Sequence, residues 1–359
     1  MKVLKKGEVR RRRQIEHTKT ERLIMGGIDF PFIVALRFAF QTRDKLYMVT
    51  DYCRGGELFF HLKKLRVFNE DMVRFFSAEL TAALLHLHER DIVYRDLKPE
   101  NVLLDEAGHI RITDFGLSKD KVDHDHAATT FCGTPEYLAP EMLLNRKSRA
   151  GYGKAVDWWS LGTLMYEMLT GWPPFYDKNL RKMCEQILKA ELHFPAKLEA
   201  SDQVKDLIRR LLIRDPTRRI SGDDIKAHPF FASIDWDALS RHEITPPFRP
   251  TVEGETDIGN FDTVFTSEPV AMTPPAESEI GESLAADFDG FSFVDDSTLG
   301  DEDDGKMEDE LAAKHDAEVA DAIAHITAMD AAARGTDADA AGAAAGSGAG
   351  GAGSGGEEK

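Results

Sequence analysis

Three short polar motifs, which occur in a fixed order, constrain this chain more than any other feature. Tyr94-Arg95-Asp96-Leu97-Lys98-Pro99-Glu100-Asn101 comes first, Thr113-Asp114-Phe115-Gly116 follows, and Ala139-Pro140-Glu141 closes the set. The first motif lies between two apolar, strand-like pieces, residues 91–93 and 102–104. An ordinary solvated loop is therefore a poor interpretation of it. Each of these short motifs alone carries little weight, but the three motifs in this order are highly specific.

Hydrophobic periodicity predicts a mixed α and β architecture for the first two thirds of the chain. Residues 28–40 and 46–52 are rich in aromatic and β-branched residues, which predicts two strands. Residues 69–89 carry apolar side chains on one helical face, with Asn69 as the N-cap. Further helices are predicted at 155–169, apolar on nearly all sides, and at 201–213.

The net charge of −18 comes from the C-terminal part of the chain. Residues 251–359 carry 27 Asp and Glu against 4 Lys and Arg, whereas residues 1–250 are mildly basic. After residue 232, repeated prolines preclude long regular elements. An acidic run at 300–310 precedes an Ala-rich stretch and a Gly/Ala/Ser tail, a composition typical of disorder.

The ordered motifs resemble the signature set of the eukaryotic protein kinases, over about residues 1–295. The resemblance implies an α+β, bilobal kinase fold with a small β-rich N-lobe, a helical C-lobe and an extended C-terminal tail. The boundaries we predict are 1–52 for a partial N-lobe, 53–231 for the C-lobe, 232–295 for a regulatory tail and 296–359 for the disordered tail.

The resemblance also implies the residues of phosphoryl transfer, which depends on positioning and charge neutralisation. Asp96 would orient the substrate hydroxyl, and Lys98 would offset the charge that develops on the transferred group. Asn101 and Asp114 would supply oxygen ligands for Mg²⁺. For ATP, the family pattern implies the phosphate-binding Lys2, its helix partner Glu21, the gatekeeper Thr50, the hinge residues Asp51 and Cys53, and Glu57, Leu103 and Thr113 around the nucleotide.

The segment Thr130-Phe131-Cys132-Gly133-Thr134-Pro135-Glu136 is similar to the activation segment of the AGC group of kinases. By this resemblance Thr130 is the activating phosphosite. Thr134 agrees with Ser or Thr as the phosphate acceptor. Three carboxylates, Glu57, Glu100 and Glu167, match the positions that hold arginines upstream of the target residue. As a set they predict a basophilic kinase, although each alone is more often a surface residue.

Two buried supports follow from the same family pattern. Asp157, within Asp157-Trp158-Trp159-Ser160-Leu161-Gly162, should brace the backbone of the catalytic loop. Glu141 and Arg219 should form a buried ion pair, which is far more costly to break on one side than to replace on both.

The region after residue 232 carries a second set of AGC features. Phe288-Asp289-Gly290-Phe291-Ser292-Phe293 resembles the hydrophobic motif, with Ser292 as its phosphosite, and Thr273 lies in a segment resembling the turn motif. Phe288 and Phe291 are predicted to dock in an N-lobe groove beside helix αC. The amino-acid sequence of this tail is similar to that of fungal nutrient-signalling kinases of the protein kinase B and ribosomal-protein kinase branch. In that branch, the tail is phosphorylated by the TOR complex.

The family's Gly-rich loop should precede the strand of Lys2, and the sequence begins at Met1. The single G-x-G-x-x-G match, at 346–351, is spurious because no strand leads into it and no helix follows. We expect a fragment or a wrongly chosen start codon, in which case this chain alone would bind ATP poorly. The alternative is a shortened, non-catalytic docking or scaffold protein.

The remaining expectations concern partners and location. We expect protein substrates with basic motifs and upstream activating kinases as partners, and a monomer. The Arg10–Arg13 run fits a solvated face better than a nucleic-acid site. No apolar run is long enough for a transmembrane helix. Three scattered cysteines favour a reducing compartment, so we expect a cytoplasmic protein, with a nuclear or membrane-peripheral location as alternatives.

Overall fold

We describe the protein from a computed structural model, for residues 1–115, 135–144, 153–267, 287–295 and 297. The chain divides into two compact units, Met1–Asp303 and Asp304–Lys359. All described residues belong to the first unit, so the predicted boundary at residue 296 and the disordered tail stay predictions. Within the described part, no helix is both long and apolar enough to cross a bilayer.

The small lobe is built on a four-stranded antiparallel sheet with strand order β1-β3-β2-β7. β1 lies at one edge of the sheet, and β7, which comes from the C-terminal tail, lies at the other. Two helices follow β1 directly in the sequence. The elements are β1 (Lys2–Lys5), α1 (Lys6–Arg11), α2 (Ile15–Gly26), β2 (Leu36–Gln41), β3 (Lys45–Thr50) and β7 (Phe293–Val294).

The predicted strand at 28–40 is wrong in its first half. Only Leu36–Gln41 pairs as a strand, while Phe32 and Ile33 are buried in the preceding loop. That loop forms an isolated bridge from Ile33 to Ile112. Pro31 has no N–H to give to a ladder, which is why an apolar run here does not become a paired strand.

The large lobe is mainly helical and carries a small sheet, β4-β5-β6, at the junction with the small lobe. Asn69 accepts a hydrogen bond from the Met72 backbone N–H, so it caps α4 as predicted. α6 is buried on nearly all sides, as its apolar sequence predicts. The elements are β4 (Gly56–Glu57), α3 (Leu58–Leu65), α4 (Glu70–Glu89), β5 (Val102–Leu104), β6 (Ile110–Ile112), α5 (Pro140–Leu144), α6 (Ala155–Thr170), α7 (Leu180–Lys189), α8 (Asp202–Leu211), α9 (Asp223–Lys226) and α10 (Trp236–Ser240).

The tail runs back across the junction of the two lobes. The Asn260 amide donates hydrogen bonds to the backbone carbonyls of Arg54 and Thr251. Gly56 has φ +73°, and a Cβ there would lie 2.1 Å from the Asn260 carbonyl oxygen, so only glycine fits this approach. The short helix α11 (Thr263–Thr266) follows this contact. These contacts hold the tail beside the residues predicted to form the hinge.

Candidate active site

Asp157 on α6 holds the backbone of the catalytic loop at Tyr94 and Arg95. Its two carboxylate oxygens accept hydrogen bonds from the backbone N–H groups of Tyr94, at 2.9 Å, and Arg95, at 2.7 Å. The Nε2 atom of His88 lies 2.7 Å from the same carboxylate, which is fully buried. Arg95 has φ +65°, a conformation that L-residues rarely adopt. Asp157 therefore stabilises the loop in a conformation that it would not keep alone.

Within the same loop, Asp96, Lys98 and Asn101 form one hydrogen-bonded cluster. The Lys98 Nζ atom lies 3.2 and 3.1 Å from the two carboxylate oxygens of Asp96. The Asn101 amide donates to the carboxylate and to the backbone carbonyl of Asp96, both at 2.8 Å. Thr113 N–H donates to the Asn101 carbonyl at 3.0 Å. Asp96, Lys98, Asn101 and Thr113, which the resemblance implies for the site, are thus joined by hydrogen bonds.

Lys2 connects the small lobe to the second motif. Its Nζ atom lies 2.7 Å from a Glu21 carboxylate oxygen and 2.9 Å from the Asp114 carboxylate. Burial alone would lower the pKa of Lys2, but Glu21 and Asp114 hold it above its ordinary value. Asp114 has φ +57°, a second left-handed residue at the site. The structure brings together three residues that are far apart in the sequence.

Two side chains at this site have the chemistry that Mg²⁺ prefers. Asp114 is half-exposed, and Asn101 carries a side-chain amide oxygen. The backbone carbonyl of Asn101 accepts a hydrogen bond from the N–H of Thr113, the residue before Asp114. Mg²⁺ is usually bound by one or two protein oxygens together with substrate phosphates and water. Among the described residues, no group of three or more His, Cys, Asp or Glu side chains is placed to hold a metal ion. The side-chain chemistry of Asn101 and Asp114 suits Mg²⁺, and their role as its ligands stays a prediction.

Thr50, Glu57 and Leu103, three of the residues predicted to surround ATP, lie in strands β3, β4 and β5. Thr50 ends β3, and Asp51 follows it with its N–H donating to the Ala35 carbonyl at 3.1 Å. Leu103, in β5, pairs with Glu57 of β4. Cys53 is buried, and burial raises the pKa of its thiol to about 12, so the thiol is neutral at physiological pH.

The predicted peptide-binding carboxylates form an acidic cluster with a member that the prediction missed, Glu136. Burial and then repulsion from Glu100 and Glu136 raise the pKa of Glu167 to about 8. The pKa of Glu57 is raised by burial, then by Glu100. Tyr137 donates a hydrogen bond to the Glu167 carboxylate. Mutually destabilised carboxylates of this kind favour a cationic ligand.

The raised pKa of Glu167 predicts a pH-dependent affinity for basic peptides. Below about pH 8 the carboxyl group is largely protonated, so it gains its charge as the pH rises through this value. We expect the KM for an arginine-containing peptide to fall about three- to fivefold between pH 7 and pH 9. Steady-state kinetics with Glu167→Gln is the control, and an equally steep pH profile in that variant would contradict the prediction.

The second predicted support, the pair of Glu141 and Arg219, is present. The guanidinium donates to the two carboxylate oxygens at 2.7 and 2.9 Å, and it also donates to the Ala155 carbonyl at 2.6 Å. Arg219 is buried. This pair fastens the end of the third motif to the start of α6.

Three predicted residues, Thr130, Thr134 and Thr273, lie outside the described residues. The phosphosite predicted at Ser292 is described, and its side chain is exposed. The roles assigned to all of these residues stay predictions.

The aromatic motif of the tail docks on helix α2. Phe288 and Phe291 are 0% and 1% exposed, as their predicted docking requires. Arg22 of α2 donates to the backbone carbonyls of Phe291, at 3.0 Å, and Ser292, at 2.7 Å. Its guanidinium also lies 5.1 Å from the centre of the Phe293 ring. Because Arg22 follows Glu21, the docked tail and Lys2 contact the same turn of α2.

Replacing Phe291 with alanine should weaken this docking. The lost burial is about 2–3 kcal/mol, so hydrogen exchange at the β7 amides Phe293 and Val294 should accelerate about 30-fold or more. Val294→Ala is the matched control, because Val294 is 44% exposed and adds little burial. Equal exchange in the wild type and Phe291→Ala would exclude docking through this ring.

Some site residues gave no usable signal in the sequence. Arg22 and Arg37 look like ordinary arginines, but each contacts tail residues more than 250 positions away, and Arg37 also contacts Asp51. For Glu136, the available signal was its position inside the activation-segment motif. Long-range partners cannot be read from local spacing, so only the folded chain identifies these contacts.

The structure has a small sheet packed with a helix and a separate helical lobe. Lys2 is paired with Glu21 and Asp114, and Asp96 lies in the catalytic loop. These features together define a protein kinase. Residues 1–231 match the protein kinase domain family, and residues 252–293 match the protein kinase C terminal domain. The chain belongs to the protein kinase family.

Curated relatives place the chain near the AGC serine/threonine kinases. It is 51% identical over 306 residues to Protein kinase 2 of Dictyostelium discoideum and 48% identical over 312 residues to Serine/threonine-protein kinase SCH9 of Candida albicans. It is also 48% identical over 299 residues to the RAC family serine/threonine-protein kinase homolog of Dictyostelium discoideum. These alignments cover 83–84% of this chain, which spans 62%, 39% and 66% of the respective relatives' lengths.

Proposed function

We propose that this chain catalyses the transfer of the ATP γ-phosphoryl group to Ser or Thr hydroxyls of proteins. The observation that carries the proposal is the convergence of Lys2, Glu21 and Asp114 on one side and Asp96, Lys98 and Asn101 on the other. Cationic, carboxylate and amide groups in this arrangement serve a reaction that depends on positioning and charge neutralisation.

Each side chain has a definite task in this proposal. Asp96 accepts a hydrogen bond from the substrate hydroxyl and directs it towards the phosphorus atom. Lys98, already paired with Asp96, neutralises charge on the transferred group, and Lys2, aligned by Glu21, binds the ATP phosphates. Asn101 and Asp114 would hold Mg²⁺, which supplies charge neutralisation at the phosphate oxygens.

The acidic cluster supports a preference for arginine upstream of the target residue. Glu57, Glu100 and Glu167 are repelled by their carboxylate neighbours and would be stabilised by a guanidinium. The sites proposed for regulation by upstream kinases are Thr130, Thr273 and Ser292. From the resemblance of its tail we propose a role in nutrient and growth signalling, and from its three scattered cysteines we propose a cytoplasmic location.

A radiolabel transfer assay with the full 359-residue chain tests the proposal. The substrate is a peptide with one Ser and arginines three and five residues upstream, and its matched control has alanines at those two positions. We expect Mg²⁺- and ATP-dependent labelling of the serine, at least about tenfold faster for the arginine peptide. Labelling that persists unchanged in Asp114→Asn would overturn the assignment of the site, and equal rates for both peptides would overturn the arginine preference.

A further inference from the structure

Arg37 is an extra residue in the ladder between β2 and β3. Leu36 pairs with Thr50, but the next pairing is Phe38 with Val49, so the register shifts across Arg37. A β-bulge of this kind leaves one residue unpaired and re-aims its side chain out of the alternating pattern of the strand. The bulge lies opposite the end of β3, where the chain enters the hinge. The guanidinium is thereby directed towards Asp51, which follows β3.

Two carboxylates from distant parts of the chain share this guanidinium. The Nε and Nη2 atoms of Arg37 donate to both oxygens of Asp51, at 2.7 and 3.1 Å. Its Nη1 atom donates to Asp295 at 2.6 Å and to the Ser297 hydroxyl at 2.9 Å. The backbone N–H of Asp295 returns a hydrogen bond to the Arg37 carbonyl at 2.9 Å. Arg37 therefore bridges the hinge and the tail.

The bridge is stronger than an ordinary surface ion pair. The side chains of Arg37, Asp51 and Asp295 are only 34%, 29% and 23% exposed. Burial alone would raise the pKa of Asp295, but hydrogen bonds from Ser297 and Arg37 hold it below its ordinary value. Arg111 is the other cation facing Asp51, at 4.0 Å, a longer contact than either Arg37 bond. Bidentate, half-buried arginine pairs are the geometry in which such contacts contribute most.

We infer that Arg37 is a positioning residue that transmits docking of the tail to the nucleotide-binding hinge. The inference rests on the proposed function, because Asp51 follows the gatekeeper Thr50 in the segment assigned to ATP. When Asp295 docks, it orients the guanidinium that holds the Asp51 carboxylate. This connection is separate from the aromatic docking on α2, since none of its contacts involves Phe288, Phe291 or Arg22.

Only arginine can make this connection in the observed form. A planar guanidinium donates to two carboxylates in different directions at once, whereas a lysine ammonium is a compact point charge on a flexible stem. Arg37→Lys keeps the net charge of the small lobe and should still lose the coupling. Asp287 provides a matched control in the tail, because its ion pair with Arg10 is a long contact of 3.9 Å and it has no part in the bridge.

The first test measures the hinge directly and needs no activity. Hydrogen exchange is followed at the amides of Asp51, Tyr52 and Cys53 in the full chain without nucleotide. We expect Asp295→Asn to accelerate exchange there about threefold or more and Asp287→Asn to leave it unchanged. In an Arg37→Lys background the effect of Asp295→Asn should disappear. The inference is overturned if Asp295→Asn and Asp287→Asn accelerate exchange equally, or if neither does. It is also overturned if Asp295→Asn keeps its full effect in the Arg37→Lys background.

The second test measures whether the coupling between tail and hinge changes the affinity for the nucleotide. Asp295→Asn should raise the dissociation constant for Mg-ATP, measured by calorimetry, about three- to tenfold. The transfer rate at saturating ATP should stay within about twofold of the wild type, because the catalytic loop is untouched. A lower saturated rate with unchanged ATP affinity would contradict the inference. Absence of any phosphoryl transfer would instead remove the proposed function, and the exchange experiment would still decide whether Arg37 couples tail and hinge.

Discussion

Replacing Asp96 with asparagine should lower the rate of phosphoryl transfer about 10²- to 10⁴-fold. The carboxylate accepts hydrogen bonds from Lys98 and Asn101 and still has capacity to accept one from a substrate hydroxyl. An asparagine would turn an N–H₂ donor towards these donors and cannot take up a proton. The measurement is the single-turnover rate at saturating ATP and peptide, where binding no longer limits the reaction.

Asp91→Asn is the matched control for this experiment. Asp91 lies a few residues upstream on the surface, where it pairs with Lys154 at 2.6 Å. It has φ +57°, a conformation that asparagine tolerates well, so the same chemical change should leave the fold intact. We expect a rate within about twofold of the wild type. If Asp96→Asn also kept its rate within tenfold, Asp96 would not be the catalytic carboxylate.

Replacing Asp157 with alanine should lower the free energy of unfolding by about 3–5 kcal/mol. The change leaves the N–H groups of Tyr94 and Arg95 and the ring of His88 without their buried acceptor. Asp157→Asn should cost less, because one amide oxygen still accepts from one of the two N–H groups. Urea denaturation of the full chain, monitored by tryptophan fluorescence, measures both changes.

The same control serves here, since Asp91→Asn should leave the denaturation midpoint unchanged. Because Arg95 holds a left-handed conformation next to Asp96, the Asp157 variants should also lose activity under conditions in which they remain folded. A loss of less than about 1 kcal/mol for Asp157→Ala would show that water replaces the carboxylate and that the brace is not a major support.

Several features could be predicted because they depend on local chemistry. The cap at Asn69 and the buried helix α6 follow from side-chain type and spacing within short segments. The roles expected of Asp96, Asn101 and Asp114 are implied by the resemblance of short contiguous motifs to those of the protein kinases. The strand predicted over residues 28–40 failed in its first half for a related reason. Hydrophobicity indicated burial correctly for Phe32 and Ile33, but burial does not specify a hydrogen-bonded partner, and Pro31 cannot provide one.

The sequence by itself determined the protein kinase family, the catalytic loop and the aromatic motif of the tail, because each is encoded by contiguous residues in a fixed pattern. Only the tertiary structure decided which distant groups meet: Lys2 with Asp114, Arg22 with the carbonyls of the docked tail, and Arg37 between Asp51 and Asp295. A charged side chain's energy depends on its burial and its neighbours, and both are set by how the chain folds rather than by the residues beside it.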